Sequence, residues 1–154
     1  MVREFHEVFG HPTEDKPTLN TLENRRLRCQ LIKEELNELV DACAEDNLIG
    51  IADALGDILW VTLGGFEVFG MAGDLGQRIM LTIYKSNMSK LCNTVEEAQA
   101  FIDETAQEWG PIYGYEEIDT GKVALYWLHG EKAGKIAKGP HYKEPDLSFI
   151  KEEE

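Results

Sequence analysis

Basic residues are few. Fifteen Lys and Arg stand against twenty-nine Asp and Glu, a net charge of −14 over 154 residues. A chain whose main partner is a nucleic-acid polymer presents basic surface, so the balance argues against that class. A small anionic substrate stays open if metal ions supply the positive charge. Cysteine is also scarce. Cys29, Cys43 and Cys92 are an odd number with no CxxC pair, which fits a reduced, intracellular protein better than a disulfide scaffold. The opening "MVREFHEVFG" has no apolar signal core, so a cytoplasmic location is expected rather than export. There is no internal repeat and no low-complexity segment. The hydrophobic fraction of 43% is ordinary and permits a real core. The length suggests one domain spanning 1–154.

The stretch from Leu48 to Phe66 carries only Asp53 and Asp57 as formal charges, and its length invites comparison with a membrane span. Each Asp at mid-membrane costs roughly 2.5–3.5 kcal/mol, and there are two. A central helix of a bundle, with no membrane partner, is the better reading.

Along the chain, residues 3–10 read as a short helix ending at Gly10. "GHPTEDKP" is a loop. Asn20 with Glu23 predicts a capping box that opens a long helix to about Asp46. Asn47 caps the next helix, to about Gly70. Asp74 caps a third, to about Leu91. Thr94 with Glu97 opens a fourth, to about Trp109, ended by Gly110-Pro111. Beyond it the chain is rich in β-formers and predicts a hairpin, Ile112–Ile118 against Lys122–Leu128, with a third short strand near Lys135–Ala137. Trp109, Tyr126 and Trp127 are expected to pack this appendage, and Trp60 to lie in the helical core. The fold class is therefore mainly α: a helical core over about 1–93, then a helix plus a small C-terminal β-hairpin appendage over about 94–145.

The chemistry-bearing feature is "LIKEELNEL", residues 31–39. At about 100° per residue, Glu34, Glu35 and Glu38 share a stripe with Leu27, Leu31 and Ala42, a stripe that reads as buried. On the next helix Asp53 and Asp57 are four residues apart, on one face with Trp60, Val61 and Gly64. Glu-Glu-x-x-Glu alone commonly marks a solvated face. Five acids on two adjacent helices, two of them in a nearly charge-free segment, must be protonated, paired or metal-bound if buried. The set fits hard divalent cations, Mg²⁺ or Mn²⁺, which take oxygen ligands. None of the four histidines, His6, His11, His129 and His141, lies on these helices, which disfavours di-iron and zinc. An all-carboxylate site with two or more Mg²⁺ ions suits hydrolysis of phosphate esters or phosphoanhydrides.

These residues resemble a known family. "EELNE" at 34–38 followed by "DALGDILW" is similar to the all-α nucleoside triphosphate pyrophosphohydrolases, the MazG-like group, whose signature is Glu-Glu-x-x-Glu on one helix and Glu-x-x-Asp on the next. "FHEVFGHP", "LRCQLIKEELNEL", "IADALGDILWVTLG", "SNMSKL" and "KGPHYKEPDL" together resemble a phage and bacterial subgroup of phosphoribosyl-ATP pyrophosphohydrolase-like proteins. Residues 94–135 are the least typical part. The resemblance implies Mg²⁺-dependent cleavage of a nucleoside triphosphate to the monophosphate and pyrophosphate, leaning to a purine deoxynucleotide such as dGTP, in the cytoplasm of a bacterium or phage-infected host. It implies Glu34, Glu35, Glu38 and Asp57 as metal ligands, with Glu35 or Glu38 also acting as catalytic base. The motif's second-helix Glu falls on Ala54, and Asp53 is expected to stand in. Asn87 and Lys90 in "KSNMSK" match phosphate or sugar contacts. Lys138 could reach the phosphates, and Phe5 and His6 could stack on or hydrogen-bond a base. Members assemble as homodimers or homotetramers, in keeping with apolar residues on several sides of these helices. A phosphoribosyl-ATP pyrophosphohydrolase and a non-catalytic Mg²⁺-binding scaffold are the rival readings.

Overall fold

The computed structural model describes residues 1–109, 112–118 and 120–152, with the side chains of Glu108 and Trp109 left aside. Five helices run in chain order: α1 (Val2–Phe9), α2 (Leu22–Ala44), α3 (Leu48–Val68), α4 (Gly73–Met88) and α5 (Val95–Trp109). Two strands follow, β1 (Tyr113–Glu117) and β2 (Val123–Trp127), then short 3-10 turns at Gly130–Lys132 and Ser148–Glu152. The fold is all-α with a small hairpin, as the sequence predicts. Contacts divide the chain into two compact units, and the division falls inside α4: Met1–Arg78 with the segment from Ser148, and Ile79–Leu147.

In the first unit α1 and α2 each pack on α3. Helix α1 stops at Gly10, whose φ of 69° is left-handed. Gly10 N–H donates to the Glu7 carbonyl and His11 N–H to that of His6, satisfying two orphan carbonyls as in a Schellman motif. Helix α2 is capped by Thr21, not Asn20: Thr21 Oγ1 accepts from Asn24 N–H at 3.1 Å. Asn20 is instead left-handed, φ 53°. Its Oδ1 accepts from Thr21 N–H, and its Nδ2 donates to the Val68 carbonyl at 3.0 Å. The residue before the α2 cap is thus tied to the last residue of α3. At the other end the two helices are joined through 45–47, with Asp46 left-handed and Asn47 capping α3 through Gly50 N–H at 3.0 Å, as expected.

The α2–α3 pairing has a seven-residue beat. A Cβ placed on Gly50 would lie 3.1 Å from that of Ala42, and one on Gly64 would lie 3.0 Å from Arg28 Nη1. Arg28, Glu35 and Ala42 are seven apart on α2, and so are Gly64, Asp57 and Gly50 on α3. Two glycines therefore let the antiparallel helices approach at both ends of the seam, and acids occupy its middle. Little else in this unit is covered. Ile32, Leu36 and Val40 on α2 and Leu55, Leu59 and Leu63 on α3 are exposed. By length and composition alone α3 is long and apolar enough to cross a membrane.

In the second unit α4 tightens after Met88, three residues before the expected Leu91: Lys90 and Leu91 N–H donate three residues back, to Asn87 and Met88. Asp74 lies inside the first turn of α4, not at its cap. Thr94 Oγ1 caps α5 through Glu97 N–H. The hairpin pairs Tyr113 with Trp127 through Glu117 with Val123. The expected third strand is reduced to one bridge, Ile136 to Tyr126, with Ala137 N–H donating to Leu125. Cys92 pairs with the free side of Val123. Val123, Leu125, Cys92, Ala98, Ile102 and Ala137 form a closed core, with Tyr113 and Trp127 packed against it. Tyr126 covers Gly114, where a Cβ would meet its ring at 2.5 Å. The Trp109 side chain and Gly110-Pro111 lie outside the described residues.

Candidate active site

The seven-residue beat sets Glu35 opposite Asp57 in the middle of the α2–α3 seam. Glu35 is half-buried, and its carboxyl is held above the ordinary range, first by desolvation and then by the charges of Glu38, Asp57, Glu34 and Asp53. The other four acids singled out in the sequence therefore all act on Glu35. No basic group is among the causes. The burial expected for the stripe is corrected. Glu34, Glu38, Asp53 and Asp57 are exposed, because two helices form only one layer and leave the outer edge of the seam open to water. Glu34 also accepts from Gln30 Nε2 at 2.9 Å, so it differs from Glu35 and Glu38 in having a partner of its own.

Among the described residues, no three His, Cys, Asp or Glu side chains stand together as a ready-made metal cage. The donor chemistry nevertheless fits a hard divalent cation. Every candidate ligand is a carboxylate, and their mutual repulsion, seen at Glu35, is what a cation relieves. The position where the family motif has Glu is Ala54, 2% exposed. A carboxylate there would be desolvated, whereas Asp53 beside it is exposed and is felt by Glu35.

One turn towards the Arg28–Gly64 end lies a cavity of about 280 Å³. Leu31 and Trp60 bring it next to the acids, being a turn from Glu35 and Asp57 respectively. Its mouth is aromatic. Phe5 meets Trp60 edge-on at 5.5 Å and stacks with His11 at 6.0 Å. Trp60 is thus 36% exposed at this mouth and not in the core. Two polar side chains lie behind the cavity's largely apolar wall: His6 is 2% and Arg28 7% exposed. His6 Nδ1 lies 3.0 Å from the Pro12 carbonyl, which can only accept, so Nδ1 carries a proton and a neutral ring leaves Nε2 as acceptor.

Asn87, Lys90 and Lys138 belong to the second unit. Lys90 Nζ donates to Asn87 Oδ1 at 2.7 Å. Lys90 and Lys138 line one cavity of about 310 Å³ with Lys132, Lys135, Tyr113 and Trp127. Lys132 and Lys135 are additions to the sequence reading, as is Arg28. "RRLRCQ" looks like a solvated basic run. The available signal was spacing: Arg28 stands seven residues before Glu35, and Gly64 seven after Asp57.

The family model described as phosphoribosyl-ATP pyrophosphohydrolase matches residues 2–79, the stretch that holds α1, both acidic helices and the aromatic cavity. The chain belongs to this family. The family match excludes the hairpin and the lysine-lined cavity. A relative, "Uncharacterized protein L479" of Acanthamoeba polyphaga mimivirus, is 47% identical over 74 residues, covering 46% of this chain and 30% of that protein. The chain thus aligns with less than a third of that curated relative's length.

Proposed function

We propose that the chain is a Mg²⁺-dependent nucleotide pyrophosphohydrolase, with Mn²⁺ as a possible substitute, acting on a purine deoxynucleoside triphosphate such as dGTP. The observation that carries this reading is the setting of Glu35: a half-buried carboxyl that feels burial first and then four other acids, with no basic group among them, next to an aromatic cavity. Glu34, Glu35, Glu38, Asp53 and Asp57 would hold the ions. When bound, Mg²⁺ neutralises phosphate oxygens and makes water a better nucleophile at neutral pH.

The chain's own part is orientation and proton handling. Glu35 and Glu38 face the reacting water, and one of them accepts its proton. Water adds to the α-phosphorus, the bond to the bridging oxygen breaks, and pyrophosphate leaves. Phe5 and Trp60 hold the base ring, with His6 beneath. Asn87, Lys90 and Lys138 belong to the other compact unit, and their role as phosphate donors rests on the resemblance alone. A second copy of the chain, in a dimer or tetramer, would cover the apolar residues exposed on α2 and α3.

A phosphoribosyl-ATP pyrophosphohydrolase is the second reading, favoured by the family's own description. It needs the same metal chemistry on a bulkier substrate. The test is a panel of NTPs, dNTPs and phosphoribosyl-ATP with Mg²⁺, with the products resolved. Pyrophosphate released fastest from dGTP is expected. Release from phosphoribosyl-ATP alone moves the assignment to the second reading. No pyrophosphate from any substrate leaves a Mg²⁺-binding scaffold and ends the enzyme reading.

A further inference from the structure

Arg28 is a buried cation with nothing to hold it. It is 7% exposed, yet no carboxylate and no hydrogen-bond acceptor engages it among the described residues, and its Nε is fully covered and unpartnered. Burial alone presses its pKa down, with no charged partner offsetting it. Such a group is costly in a folded protein unless something completes it. Its position indicates what does. Nη1 reaches the Gly64 backbone, 3.0 Å from where a Cβ would be, and His6 Nε2 meets the same point at 2.9 Å. Any side chain on Gly64 would fill the space between them. Arg28 thus lines the cavity whose mouth is Phe5 and Trp60.

The occupant is defined by shape and by hydrogen bonding. About 280 Å³ is at the lower bound of the roughly 300–1,000 Å³ usual for ligand pockets. That suits a ring system better than a whole nucleotide. Aromatic edges at the mouth suit a flat π-face. A polyphosphate would be poorly served by so apolar a lining, and the acids lie a turn away to deal with it. The guanidinium is a rigid planar fork of donors without acceptors. It matches two adjacent acceptors in the plane of a ring. Guanine presents such a pair in O6 and N7. Adenine presents N7 beside an N6 donor that would oppose the fork.

We propose that Arg28 is the base-reading residue of the nucleotide site, its unpartnered guanidinium taking N7 and O6 of guanine in the Phe5–Trp60 cavity. The inference rests on the nucleotide reading of the site and deepens it by naming what selects the base. Gly64 is the residue that makes the space.

The test uses nucleosides without phosphates or metal, so that the acids play no part. Binding of deoxyguanosine, deoxyadenosine and 7-deaza-2′-deoxyguanosine to the full chain is measured by ligand-observed NMR. The 7-deaza analogue keeps the shape and O6 but has C–H in place of N7. We expect deoxyguanosine to bind tightest and each of the others roughly tenfold or more weakly, the range of one bidentate base contact. Arg28→Lys keeps the charge and loses the fork, so it should bring deoxyguanosine and its 7-deaza analogue to similar affinity. Equal binding of those two by the unaltered chain overturns the proposal without depending on any variant folding. So does failure of all three nucleosides to bind. Pyrophosphate release from dGTP and 7-deaza-dGTP separates the two claims. Equal hydrolysis of both removes the role of Arg28 and leaves the enzyme standing. Base discrimination by nucleosides with no pyrophosphate from any nucleotide removes the enzyme and leaves Arg28.

Discussion

The two compact units bury opposite things. Residues 79–147 enclose an apolar core, with Leu125, Val123 and Cys92 essentially sealed. In residues 1–78 the sealed positions include a histidine and an arginine, while leucines and isoleucines of α2 and α3 stand exposed. The first unit covers His6 and Arg28 along with Ala54 and Val68, opens most of its acids to water and leaves an apolar face of each long helix uncovered. The difference teaches that the family stretch, 2–79, falls on the unit with the acid cluster and the uncovered apolar faces, while the closed apolar core lies outside it.

The contrast makes separable predictions. The largest effect should come from Glu38→Gln, which lowers turnover by roughly 10²–10⁴-fold. Unfolding by urea should be little changed, since Glu38 is exposed and supports no packing. Retained activity would show that the metal site is misplaced. Next, Leu125→Ala should cost the hairpin unit about 2–5 kcal/mol, the range for a sealed leucine. Hydrogen exchange at the Val123 and Ala137 amides reads this locally, and nucleoside binding at the aromatic cavity should be spared. A variant that lost both would erase the distinction between the units.

Leu59→Glu comes third. If the exposed face of α3 is covered by a second copy, the charge should reduce the sedimenting species to a single chain. An unaltered protein that already sediments as one chain would refute that cover. The smallest effect is on pH dependence. The raised Glu35 carboxyl keeps its proton in the folded state above its ordinary value of 4.5, where the unfolded chain has already lost it. Metal-free stability should therefore fall as pH rises from 4.5 through the folded value, then level off. Mg²⁺ should restore stability on the high-pH side, and Glu35→Gln should remove the step. Thermal melts with and without Mg²⁺ measure all three.

The helices, their order and the facing acids were legible because spacing alone carries them: three- and four-residue steps put Glu35 and Glu38 on one face, and Asp53 and Asp57 on another. The caps at Asn47 and Thr94 were legible for the same local reason. Exposure was not. Whether Glu34 or Trp60 meets water depends on how many layers cover it, which no single helix encodes. This part of the cavity lining was hidden because it joins His6, Arg28 and Gly64, which lie on three different helices. The short α4 and the missing third strand reflect hydrogen bonds chosen by tertiary neighbours.

The bond from Asn20 to the Val68 carbonyl has one more consequence. With the short 45–47 turn at the opposite end, it converts two helices into a ring that cannot ratchet. A slip of one residue would carry Asp57 about 1.5 Å along and about 100° around its axis, out of reach of Glu35. Holding the gauge between two sets of acids falls to an asparagine that touches none of them.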